Sequence, residues 1–153
     1  MAKFFYKMQN ILNIKYKMEE QVKAELAEAN YRHAMEIEKL NSYVSRKFKL
    51  EEELRELYNS KLNIQQIKLT ISAIDKMKDM IAAQIIEVNK ASEVVEQVRA
   101  RLEQAMVERK THEKLKERAF EVFLEELKKE DDKEIDELNS YRYGGSNGEE
   151  RQE

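Results

Sequence analysis

His112-Glu113 begins the way a zinc-binding helix motif does, with an imidazole ligand followed at once by a carboxylate suited to general-base work. The second histidine of such a motif, four positions on, is replaced by Lys116. The other histidine, His33, is distant in sequence, and a metal site needs three or four converging ligands. Carboxylates are abundant, but acid–base chemistry needs a concave, water-excluding pocket to shift a carboxyl pKa. No glycine-rich phosphate loop occurs, and there is no cysteine for thiol chemistry. The sequence therefore predicts no catalytic residue, no metal site and no cofactor. An enzyme is not expected.

The elements that would hold such residues explain why. The chain has 153 residues, no proline and only three glycines, Gly144, Gly145 and Gly148, all within its last ten positions. Residues 1–143 thus lack both of the residues that interrupt helices most strongly. Charged residues make up 39%, the composition of long helices and coiled coils. A formal net charge of -3 does not favour nucleic acid as a partner. No apolar run is long enough to cross a membrane, so no direct membrane insertion is expected. The opening MAKFFYKMQNILNIKYKMEE is aromatic and basic, yet Lys7, Asn10, Asn13, Lys15 and Lys17 break any signal-peptide core, and Glu19 and Glu20 argue against a presequence. A membrane-surface helix over residues 3–18 remains an alternative for that stretch.

Stepping from Phe5 by three and four residues alternately meets Met8, Leu12, Val22, Leu26, Ala29, Leu40, Tyr43, Leu50, Leu54 and Leu57 in one register. That is the period of a coiled-coil seam and predicts a first helix over about 3–58. In the second half, Ile64, Ile67, Ile71, Ile74, Ile81, Ile85 and Val88 form one register. Ile74, Met77, Ile81, Val88, Ala91, Val95, Val98, Leu102 and Ala105 form another that drifts from it. The second helix is predicted over about 63–139. Residues 59–63 make the loop, with Asn59, Ser60 and Asn63 as stop and cap candidates. A single kinked helix is the rival.

The predicted fold is all-α: a long antiparallel two-helix coiled coil, or helical hairpin, over 1–143, followed by a disordered polar tail over 144–153. Facing positions should sum to about 122, setting Leu26 against Val95, Leu40 against Ile81, Leu50 against Ile71 and Leu54 against Ile67. Helix 2 is then the longer and overhangs near Phe120, Val122, Phe123, Leu124 and Leu127, an apolar cluster of the kind that marks a contact site. Cover by Phe4, Phe5 and Tyr6 is the alternative. At the same end Lys3 and Lys7 open helix 1 and Glu130, Asp131, Asp132, Glu134, Asp136 and Glu137 close helix 2, the reverse of what the helix dipole prefers.

The run Phe4-x-Tyr6-x-Met8-Gln9-Asn10-Ile11-Leu12-Asn13-Ile14-Lys15, with Leu26-Ala27-Glu28-Ala29, resembles the start of the flagellar FliJ family. Arg99-Ala100-Arg101-Leu102, Glu108-Arg109-Lys110, Glu113-Lys114-Leu115-Lys116-Glu117 and Asp136-Glu137-Leu138 agree in order and spacing over residues 1–143. The resemblance implies a component of the type III flagellar export apparatus, cytoplasmic and peripheral at the cytoplasmic face of the cell membrane. By the same resemblance its open end would insert into and stimulate the hexameric export ATPase, through Phe4, Tyr6, Ile11, Phe120, Phe123, Leu124 and Leu127. The middle would meet the membrane export gate protein through Leu40, Tyr43, Met77, Met80 and Gln84, and the protein would handle export chaperones. A monomeric hairpin is expected; a generic coiled-coil tether or homodimeric scaffold without ATPase coupling is the alternative.

Overall fold

A computed structural model describes residues 2–146 and contains two helices, α1 (Gln9–Asn59) and α2 (Ile64–Ser146). The reversal falls at Ser60–Asn63, one residue later than expected at its start. Asn63 caps α2: its side-chain oxygen accepts from the Gln66 backbone N–H at 3.3 Å and its carbonyl from the Ile67 N–H at 3.0 Å.

The chain divides into two compact units, Met18–Met106 and Met1–Lys17 with Val107–Glu153, and both helices pass through both units. In the first, α1 and α2 run antiparallel, as the pairs Glu25–Arg101 and Glu36–Gln84 require. Val22, Ala29, Val95 and Val98 form a buried cluster with Leu26 and Leu102 packed against it, so Leu26 and Val95, set opposite each other by the register, share one cluster. Every third or fourth residue of α1 from Val22 to Leu57 is shielded, in the register read from the sequence.

On α2 the expected drift does not occur. One unbroken seam runs Ile67, Thr70, Ile74, Met77, Ile81, Gln84, Val88, Ala91, Val95, Val98, Leu102. Ile71 and Ile85, placed in the seam by their type, are 40% and 45% exposed, and Ile64 is exposed as well. Thr70 and Gln84 take those places because each finds a hydrogen bond there. The Thr70 hydroxyl donates to the Gln66 carbonyl at 2.9 Å, and the Gln84 amide donates to the Glu36 carbonyl at 2.9 Å. A satisfied polar group is compatible with burial, and the period, not the residue type, decides the face.

In the second unit Leu12 is the most completely buried side chain, at 1% exposure. Lys15 reaches Glu108 across the helix pair at 3.0 Å, and the Tyr16 hydroxyl donates to Glu113. Here the helix bounds differ from the expectation. α1 starts at Gln9 rather than near residue 3, because Phe4 turns onto Phe120 and Phe123 and the Gln9 N–H closes a turn on the Tyr6 carbonyl at 3.2 Å. Lys3 and Lys7 therefore precede the helix, and the dipole conflict expected at its start is absent. Phe5, a seam position by period, is 81% exposed, and Met8 is exposed too. α2 continues to Ser146 instead of ending near 139, so Gly144 and Gly145 of the expected tail are helical, and no glycine among the described residues takes a positive φ. The acids at 130–137 consequently lie outside the last turn, where the dipole acts. The rest of the expected tail, 147–153, lies outside the described residues.

Candidate functional site

The end of the chain that brings residues 2–17 to residues 107–146 is built from three parts. The first is an aromatic clasp. Phe4 lies edge-on to Phe120 with centroids 5.1 Å apart and at 5.4 Å from Phe123, while Phe120 and Phe123 sit 6.3 Å apart and nearly parallel. Edge-to-face and offset contacts of this kind contribute about 0.5–1.5 kcal/mol beyond their buried area. The clasp exists because positions 120 and 123 are one helical step apart on α2, and nothing helical constrains Phe4.

The second part is a charged lattice behind the clasp. The Arg109 guanidinium grips both oxygens of Glu113, one turn along α2, at 3.0 and 3.1 Å. The Tyr16 hydroxyl, and after it Arg109, hold the Glu113 carboxyl below the ordinary carboxylate range. Such a group is a fixed carboxylate at neutral pH rather than a proton donor. Half-buried His112 beside it has a buried Nδ1 with no hydrogen-bond partner, as does the Tyr6 hydroxyl. Among the described residues no group of three or more histidine or carboxylate side chains is placed to hold a metal ion.

The third part is the bare end of α2. From Lys128 to Gly145 every residue is exposed, including Ile135, Leu138 and Tyr141. Phe120, Leu124, Leu127, Ile135 and Leu138 fall on one stripe of that helix by their spacing. The last two lie beyond the apolar cluster expected at 120–127; a lone isoleucine and leucine among six acids carry little weight until their phase is followed from Phe120.

Of the residues set against a ring-shaped partner, Phe4, Phe120 and Phe123 come together in the clasp. Tyr6 and Leu127 are half-buried, and Ile11 and Leu124 are exposed. Of those set against a membrane gate, all in the Met18–Met106 unit, Leu40 and Tyr43 are half-buried in the α1 seam. Met77 and Gln84 are buried in the α2 seam, and Met80 is exposed. Gln84 is committed to Glu36: besides the backbone carbonyl its amide donates to the Glu36 carboxylate, and that second hydrogen bond holds the carboxyl below its usual range against the opposing effect of desolvation. No described helix is long and apolar enough to cross a membrane.

Comparison with known proteins agrees with this architecture. The family model described as flagellar FliJ protein matches residues 4–148. Among solved structures, a proposed YscO homolog from Chlamydia trachomatis, CT670, superposes with a TM-score of 0.54 over 97% of this chain and 100% of that one, at 22% sequence identity. No curated protein sequence matches the chain.

Proposed function

The chain belongs to the flagellar FliJ protein family, a component of the flagellar export apparatus, and from that premise we propose that its open end seats in a hexameric export ATPase and stimulates it. The observation that carries the reading is the bare stretch 128–145, a helix with an apolar stripe and no covering partner among the described residues, next to a clasp of three phenylalanines. Phe120, Leu124, Ile135 and Leu138, exposed on one stripe of a solvated helix, are a poor solution for a free protein and a good one for a docked protein. The acids around them, Glu130, Asp131, Asp132, Glu134, Asp136 and Glu137, suit a ring whose inner wall is basic.

Seating of this end favours those subunit contacts in the ring that complete the ATP sites, so hexamer assembly and hydrolysis rise together. The chain itself hydrolyses nothing. The region around Leu40, Tyr43 and Met80 links the same molecule to the membrane export gate, and export chaperones are handled on it, which places the protein at the cytoplasmic face of the membrane. Met77 and Gln84 would contribute there by fixing the seam rather than by touch, because both are occupied inside it.

ATPase rate measured against added protein tests the proposal. Wild type is expected to stimulate, and Phe120→Ala with Phe123→Ala to stimulate much less. An ATPase rate unchanged by wild-type protein at any concentration would remove the ring reading.

A further inference from the structure

The two flanks of the helix pair in the Met18–Met106 unit are chemically unlike. In an antiparallel pair, residues one position after the inner seam row share one flank, and residues one position before the other row share the opposite flank. The Glu25–Arg101 ion pair at 2.7 Å marks the second flank, and Glu36 with Gln84 fixes the inner row from which the first is counted. Between residues 30 and 48 of α1 and 75 and 92 of α2, the second flank carries Arg32, Lys39, Arg46, Lys76, Glu87 and Lys90. The first flank carries only Asp75 and Lys78.

In place of charge the first flank presents Ile37, Val44 and Phe48 from α1 and Ile85 from α2, with exposures of 36%, 48%, 57% and 45%. Ala34 and Ala82 lie among them at positions where a neighbouring backbone can approach closely. Ile37 and Ile85 each follow a member of the Glu36–Gln84 pair, so they flank the same level of the seam. These side chains are large and apolar at positions that a two-helix coiled coil leaves to solvent, in a chain with 39% charged residues.

We propose that this flank is the docking surface for one amphipathic helix of another protein, about four turns long, laid along α1 and α2 to complete a local three-helix packing. The size of the patch selects this occupant over a second copy. Residues 34 to 48 span about 21 Å at 1.5 Å per residue, and two helices side by side offer roughly 20 Å of width. The resulting area of about 400 Å² per side is half of the roughly 800 Å² that each partner of a stable protein pair buries. It matches the apolar face of one short helix in a groove. The near absence of charge selects a partner face that is apolar at three- and four-residue spacing with small uncharged neighbours, since a charged face would lose its water without compensation. None of its four apolar residues is among those set against the ring or the gate above.

The test uses the full-length chain in cells that assemble flagella, with benzoylphenylalanine placed at Val44 or Ile85 on the apolar flank, or at Arg32 or Lys90 on the charged one. The expected result is a cross-link from Val44 and Ile85, at least about tenfold above that from Arg32 and Lys90. It should enter one segment of a different protein with apolar residues at three- and four-residue spacing. A synthetic copy of that segment should gain helicity on binding the purified chain, and Val44→Glu and Ile85→Lys should each weaken it by about tenfold or more. Both positions are exposed, so thermal melts of the two variants should match wild type. Equal labelling of the two flanks, a cross-link to a second copy, a segment without that spacing, or no cross-link would each overturn the proposal.

Discussion

Residues 128–145 and the α2 seam from Ile67 to Leu102 belong to one helix, yet they are held by different forces. In the seam every third or fourth side chain is shielded by α1, and polar members such as Gln84 are satisfied inside it. In 128–145 nothing is shielded. An isolated helix of that length is marginal in water, because nucleation is costly and each added residue gains little. What remains is local: spacings such as Glu125 to Lys129 place opposite charges one turn apart, each contributing about 0.2–0.5 kcal/mol. The seam is thus helical by packing and the extension by propensity. A protein that keeps Ile135, Leu138 and Tyr141 on such an extension has an end whose order depends on what it meets.

That contrast can be broken most forcefully at Leu12. Leu12→Ala should destabilise by about 2–4 kcal/mol in a denaturant melt, since the side chain is fully buried. Leu138→Ala, the same change on the bare stretch, should fall within about 0.5 kcal/mol of wild type. Similar losses from both would mean that the extension is covered.

Phe4→Ala comes next. Removing the clasp ring should cost about 1 kcal/mol and open Phe120 and Phe123 to a hydrophobic dye. A melt and dye signal identical to wild type would show that Phe4 does not rest on α2 in solution.

The two lowered carboxyls predict a smaller, pH-dependent effect. Glu36 is held below its ordinary value of 4.5 first by Gln84, and Glu113 below 4.5 first by Tyr16. A carboxyl depressed in the folded state contributes stability that is fully present above its unfolded pKa and is lost as pH falls through its folded one. Melting temperature should therefore be level near neutrality and decline on acidification below about pH 4.5. Gln84→Ala should flatten that decline by raising Glu36, and Tyr16→Phe should do so more weakly, because Arg109 still holds Glu113. Carboxyl NMR titration reads each shift directly; no upward movement in either variant would refute the assigned causes.

The fold was legible because period is a strong signal over fifty residues. The α1 register read from Leu12, Val22, Leu26 and onward is the one α1 uses, and Asn63 serves as the cap its type suggested. Along α2 residue type is a poorer guide than phase. Type favours Ile71 and Ile85 for the seam although Thr70 and Gln84 stand at the right spacing, and a buried hydrogen bond does not announce itself in a sequence. The start of α1 was missed for a related reason. Phe5 and Met8 continue the seam in phase, but the competing contact of Phe4 with two rings on α2 joins residues more than a hundred positions apart. The candidate site was half legible: the cluster at 120–127 was visible and its cover by Phe4, Phe5 and Tyr6 stood as the alternative, whereas the choice of Phe4 over the exposed Phe5 as the ring that packs on it needed the structure.

Hydrogen exchange of the full chain, alone and with the hexameric export ATPase, tests the central claim most directly. Alone, amides of residues 128–145 should exchange nearly as fast as an unfolded chain, while those facing the seam between Thr70 and Leu102 should be protected. With the ATPase, strong new protection should appear over residues 120–145 and leave the seam unchanged. An open end whose exchange is the same with and without the ring would contradict the account.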